Sequence, residues 1–97
     1  MITAIVLLKV DVRAIPETAR EIADIARVSE VYSVTGDWEL VALVRVHTHE
    51  EIADVVTGEI AKISGVLGAH TMIAFRAYSS HDLDRLWGVG FPESEGV

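Results

Sequence analysis

The stretch VTGDWEL, residues 34–40, sets a hydroxyl, a glycine, two carboxylates and an indole close together. Thr35 can donate or accept, Asp37 and Glu39 accept and carry charge, and Trp38 joins an apolar face to one N–H donor. Gly36 adds a backbone that tolerates positive φ and lets another group approach closely. The simplest reading is the tight turn of a β-hairpin, for which a glycine is suited. The sharper reading is a turn that also holds a small polar molecule. Other chemistry-bearing types are sparse. His47-Thr48-His49 offers two histidines with no third ligand at a recognisable spacing, so no metal site is expected. Cysteine is absent, which excludes disulfides, thiolate catalysis and zinc–thiolate centres. Gly88-Val89-Gly90 lacks the flanking strand and helix of a phosphate loop, and His81 and Asp82 read as the cap of a short helix. Nothing here calls for a cofactor.

The elements that must position this stretch follow from hydrophobic periodicity. Residues 2–10 are a β-rich apolar run, and Pro16 opens a helix whose stripe is Ala19, Ile22, Ala23 and Ala26. Residues 30–35 and 38–47 read as strands on either side of Gly36. Thr48-His49-Glu50-Glu51 has the form of a capping box, so a second helix starts there with the stripe Ile52, Val55, Val56, Ile60 and Ile63. Residues 66–78 read as the last strand. The octets DIARVSEV (24–31) and EIAKISGV (59–66) echo each other, each leading from a helix end through a serine turn to a strand. The order βαββαβ with such an echo is that of an α+β, ferredoxin-like split sandwich. It predicts an antiparallel four-stranded sheet with both helices on one face, over residues 1–80, and a C-terminal extension, 81–97. The extension carries Leu83, Leu86, Trp87, Val89 and Phe91 and is expected to dock on a neighbouring subunit.

Two strands are apolar on both sides. Ile2, Ala4, Val6, Leu8 and Val10 form one face of the first strand, yet Ile5 and Leu7 occupy the other. Leu40, Ala42, Val44 and Val46 likewise oppose Val41 and Leu43. Helices on one face leave the second to be covered by another copy. Composition agrees: 97 residues of which 51% are hydrophobic exceed what so small a core can bury alone. A homodimer at least is expected. The net charge of −7, without a cluster of basic residues, argues against direct nucleic-acid binding. The apolar start is too short to span a bilayer and lacks the marks of a signal peptide, so a cytoplasmic protein without membrane attachment is expected.

VSEVYSVTGDWELVALVRV (28–46) resembles the middle of the effector-binding (RAM) domain of Lrp/AsnC-type transcription regulators. Val31, Tyr32, Val34, Thr35-Gly36 and Trp38-Glu39 fill that family's pattern, with Glu39 where Asp is usual. ISGVLGAHTMIAF (63–75) resembles its second signature, through Gly65-Val66 and Thr71. The resemblance implies the dimeric α+β barrel type of assembly, with dimers gathered into an octamer or decamer. It also implies a small effector, commonly an amino acid, in clefts between dimers near the Thr-Gly hairpin. The implied ligand set is Thr35, Gly36, Asp37, Trp38, Glu39 and Thr71. The helix-turn-helix domain of full-length members is not found in this sequence. The resemblance therefore implies a stand-alone sensing module without catalysis, able to act on transcription by hetero-assembly with a DNA-binding relative.

Two rival readings remain. Dimeric α+β barrels include small cofactor-independent monooxygenases and isomerases, in which His70, His47 or Tyr32 would be acid–base groups around an internal apolar pocket. A purely structural oligomerisation module would hold no ligand anywhere.

Overall fold

A computed structural model of the chain describes residues 1–78; the expected extension over 81–97 lies outside the described residues. Strand β1 (Ile2–Val10) leads through a 3-10 turn (Val12–Ala14) into helix α1 (Ile15–Ala23). Strands β2 (Val28–Ser33) and β3 (Leu40–Val46) follow, then α2 (His49–Val56), a second 3-10 turn (Ile60–Lys62) and β4 (Val66–Ala74). The four strands form one sheet in the order β2-β3-β1-β4, antiparallel throughout. This is the expected α+β ferredoxin-like arrangement.

The expected capping box at α2 forms in both directions. Thr48 Oγ1 accepts from the Glu51 N–H at 3.3 Å, and Glu51 Oε1 accepts from the N–H groups of Thr48 at 3.2 Å and His47 at 2.7 Å. The α2 stripe packs inward as read, with Ile52, Val55 and Ile60 buried. However, the helix stops at Val56 and resumes only as a 3-10 turn, because Gly58 is a poor helix former. In α1 the inward stripe is Ile15, Thr18, Ala19 and Ile22, whereas Ala23 and Ala26 are exposed. The sequence echo is structural. Val28 N–H donates to Ile25 O at 3.0 Å, and Ile63 N–H donates to Ile60 O at 3.1 Å, the same turn in both halves.

Strand limits differ from expectation for identifiable reasons. The β2–β3 connection is a loop spanning residues 34–39, closed by Val34 N–H to Glu39 O at 3.1 Å, and not a tight turn. Strand β4 ends at Ala74, where its partner β1 runs out at the Thr3–Ala74 pair.

Ala4, Val6, Leu8 and Val10 of β1 and Leu40, Ala42, Val44 and Val46 of β3 are buried beneath the helices. On the opposite face the register aligns Tyr32, Val41, Leu7 and His70 in one row, and Leu43, Ile5 and Met72 in the next. Ile5, Leu7, Val41 and Leu43 are only partly buried there, and Tyr32 and Met72 are 48% and 40% exposed.

Thr18 is the one buried polar residue among the described residues, and its side chain lies against Gly65. A Cβ on Gly65 would sit 2.0 Å from Thr18 Oγ1, so no side chain fits there. Gly65→Ala is expected to destabilise the fold by about 1–3 kcal/mol, as overpacking does. Thr18→Ala in the same chain should recover part of that loss in a double-mutant cycle of denaturant midpoints. An unchanged midpoint for Gly65→Ala alone would refute the close packing.

Candidate functional site

The loop at residues 34–39 is built on Gly36, whose φ of +111° is the one positive value among the described residues. Ordinary side chains avoid that backbone region. A Cβ at Gly36 would meet nothing within 4 Å, so the requirement for glycine comes from the dihedral alone. Thr35, Gly36 and Asp37 are exposed at the tip, and Trp38 and Glu39 are partly buried at its base.

Strand β1 ties the loop down. Glu39 N–H donates to Leu8 O at 2.9 Å, and Glu39 Oε1 accepts from Val10 N–H at 2.7 Å. Lys9 Nζ lies 3.6 Å from Glu39 Oε2 and donates to the Asp37 carbonyl at 2.5 Å. The Val10 N–H, helped by the Lys9 charge, holds the Glu39 carboxyl below its ordinary range, against a smaller opposing effect of burial. Among the described residues, the backbone N–H groups of Thr35, Gly36, Asp37 and Trp38 have no protein acceptor. Trp38 packs on His70, with ring centroids 6.2 Å apart and planes tilted by 35°.

The structure thus brings five of the six expected ligand residues into one loop and separates the sixth. Thr71 pairs with Val6 on the helix-facing side of the sheet, while its neighbour His70 pairs with Leu7 and meets Trp38 on the other side. Within one protomer Thr71 does not face the loop. Glu39 is present but its carboxylate is already engaged, which leaves Asp37 as the exposed acid. Lys9 and His70 were missed as members of this neighbourhood. Neither lies near residues 34–39 in sequence, and only the cross-strand register unites them. Among the described residues no group of three or more His, Asp or Glu is placed to hold a metal ion. No described helix is long and apolar enough to cross a membrane.

The acid–base groups of the enzyme reading do not converge. His70 and Tyr32 share a row on the face away from the helices, and His47 follows the end of β3. The Tyr32 phenol is pushed above its ordinary value, chiefly by the neighbouring Glu30 carboxylate.

With this geometry in place, likeness to known proteins becomes specific. The Lrp/AsnC ligand binding domain matches residues 3–83 of the 97. The chain belongs to the Lrp/AsnC family. It is 32% identical over 77 residues to the HTH-type transcriptional regulator FL11 of Pyrococcus furiosus, covering 79% of this chain and 50% of that protein. The chain thus spans about half the length of the curated relatives it matches. TTHA0845 from Thermus thermophilus is 47% identical, with a TM-score of 0.77 over 81% of this chain and 99% of that one. FFRP-DM1 is 27% identical, with a TM-score of 0.74 over 77% of this chain and 100% of that one. Two more distant regulator structures share the fold. They are NMB0573 of Neisseria meningitidis (12% identity, TM-score 0.74, 80% of this chain and 52% of that one) and Rv3291c of M. tuberculosis (22%, 0.70, 81% and 53%). Both are complexes with L-methionine.

Glu39→Gln is expected to lower stability at neutral pH, because the native state favours the ionised carboxylate. A depressed folded pKa gives a contribution that is complete above the ordinary carboxylate value of ~4.3 and is lost as pH falls through the folded value. Denaturant midpoints of the two proteins should therefore differ at pH 7 and draw together as pH falls from the ordinary carboxylate value of ~4.3 through the lower folded value. A gap that stays the same size from pH 7 into acid would contradict the charge argument.

Proposed function

We propose that this Lrp/AsnC ligand-binding domain senses a small amino-acid-like effector at the loop spanning residues 34–39. The observation that carries the reading is the run of backbone N–H groups, from Thr35 to Trp38, that find no protein acceptor around the positive-φ Gly36. Such a run attracts a carboxylate, and the Lys9 ammonium beneath it adds attraction of the same sign. Asp37, exposed and not committed to β1 through its side chain, pairs with the effector's ammonium. Trp38 supplies an apolar wall. Glu39 holds the loop in place, and Thr71 reaches an effector only from a neighbouring copy. The L-methionine in the two distant structures makes methionine a reasonable first effector to try.

The second sheet face supports self-association as part of the same function. Full cover of Ile5, Leu7, Val41 and Leu43 by another sheet is worth on the order of 1 kcal/mol per side chain. Dimers built this way would place loops along their rims, where assembly into an octamer or decamer forms clefts. Regulation of transcription then passes through a DNA-binding region, supplied by hetero-assembly with a relative.

Thermal melting against free amino acids, methionine included, tests the sensor. A ligand at 100 times its Kd should stabilise the fold by about 2.7 kcal/mol. Gly36→Val and Asp37→Asn should each abolish that shift. Failure of every amino acid to move the melt would overturn the amino-acid reading. The assembly has a separate test: Leu7→Glu should reduce the mass seen by light scattering, and an unchanged mass would rule out the sheet face as the contact.

A further inference from the structure

His70 is the one titratable side chain of β4, and the register sets it on the face away from the helices. It ends the row Tyr32, Val41, Leu7, His70, whose two middle side chains are apolar groups that a second sheet would cover. Its ring also meets Trp38 at the base of the loop, with centroids 6.2 Å apart. One imidazole thus touches both the proposed effector loop and the proposed contact between copies. Histidine is the side chain whose ordinary charge change falls between pH 5 and 8.

The charged surroundings decide which way a proton acts. On β1, Lys9 stands diagonal to His70, since Lys9 pairs with Gly68, two residues before it. A neighbouring ammonium disfavours a second cation. On the loop, the Glu39 carboxylate is engaged by Lys9 and the Val10 N–H, and Asp37 is exposed at the tip. On β2, Tyr32 closes the far end of the row, and its phenol, raised above the ordinary ~10, stays neutral at these pH values. Glu30 lies in the next row and Arg45 in the one after. The second 3-10 turn and α2 pack on the other side of the sheet, where Ile52, Val55 and Ile60 are buried. Trp38 attracts an imidazolium in the free and in the assembled subunit alike, so that contact drops out of the difference. What differs is water. A sheet laid over the row removes it, and burial disfavours the charged form.

We propose that protonation of His70 opens the sheet-to-sheet contact, so that assembly is full at neutral pH and lost in mild acid. The inference rests on the reading that a second copy covers this face. A two-fold contact uses each residue twice, so two protons accompany the parting of each pair. The free subunit takes them up more readily than the pair, and a falling pH therefore favours free subunits. Two ordinary histidines that charge only in the free subunits would weaken a pair by up to about a hundredfold between pH 7.5 and 5.5.

Sedimentation of the full chain from pH 7.5 to 5.5 at constant ionic strength, followed alongside by far-UV circular dichroism, tests this. The subunit dissociation constant of the parent should rise at least about tenfold with an unchanged helix signal. His70→Gln, uncharged throughout, should hold the tight value at every pH, whereas His47→Gln should follow the parent. His70→Lys should be weak already at pH 7.5, because it carries the charge there. Affinity that is constant or tighter in acid would overturn the switch and leave the sheet contact standing. The same pH dependence in His70→Gln as in the parent, or loss of helix signal in step with dissociation, would also overturn it. Subunits that stay single at pH 7.5 would remove the contact itself, and the switch with it.

Discussion

The central strands of this sheet are apolar on both sides, and most of the molecule's organisation answers that constraint. β1 and β3 lie in the middle of the order β2-β3-β1-β4, so each presents one side chain in two to each face. The helices cover Ala4, Val6, Leu8 and their partners on β3. They cannot also cover Ile5, Leu7, Val41 and Leu43, which remain partly open. The described residues offer no third layer. In the proposed dimer a second copy would cover this face, and the stability of one copy would then depend on the other. It also puts Trp38, His70 and the loop on the side where copies would meet.

Much of this was legible in the sequence because its signals are local. A period of two along β1 and β3 declared two apolar faces before any pairing was known. Thr48 and Glu51 stand three residues apart, and a capping box needs only that spacing, so the start of α2 was readable. The internal echo was readable for the same reason, and it marks the same backbone turn after Ile25 and Ile60.

What could not be read depends on contacts across the chain. The helical stripe read from the sequence included Ala23 and Ala26 and left out Thr18. Thr18 is buried instead, facing Gly65, a partner 47 positions further along. In the loop, Glu39 was expected among the ligand groups together with Asp37. Its partners are Lys9 and the Val10 N–H, which only the register of β1 against β3 brings within reach. Thr71 and His70 are neighbours in sequence, yet β alternation sends them to opposite faces, so only one of them joins Trp38. The family's loop was recognisable, whereas the division of labour within it was not.

The tether between Lys9, Glu39 and the loop also bears on how a signal leaves this site. A loop fixed by backbone bonds at its base and by an ammonium beneath its carbonyl has lost its conformational entropy during folding, before any effector arrives. Binding then needs little further ordering, which favours affinity. The same stiffness removes closure of a lid as a means of communication. On the proposed reading, an effector held here would change the charge and shape of a rigid rim, and the response would appear in how neighbouring copies seat against that rim. Such a device would report through the geometry of its assembly, with each subunit keeping nearly the same shape.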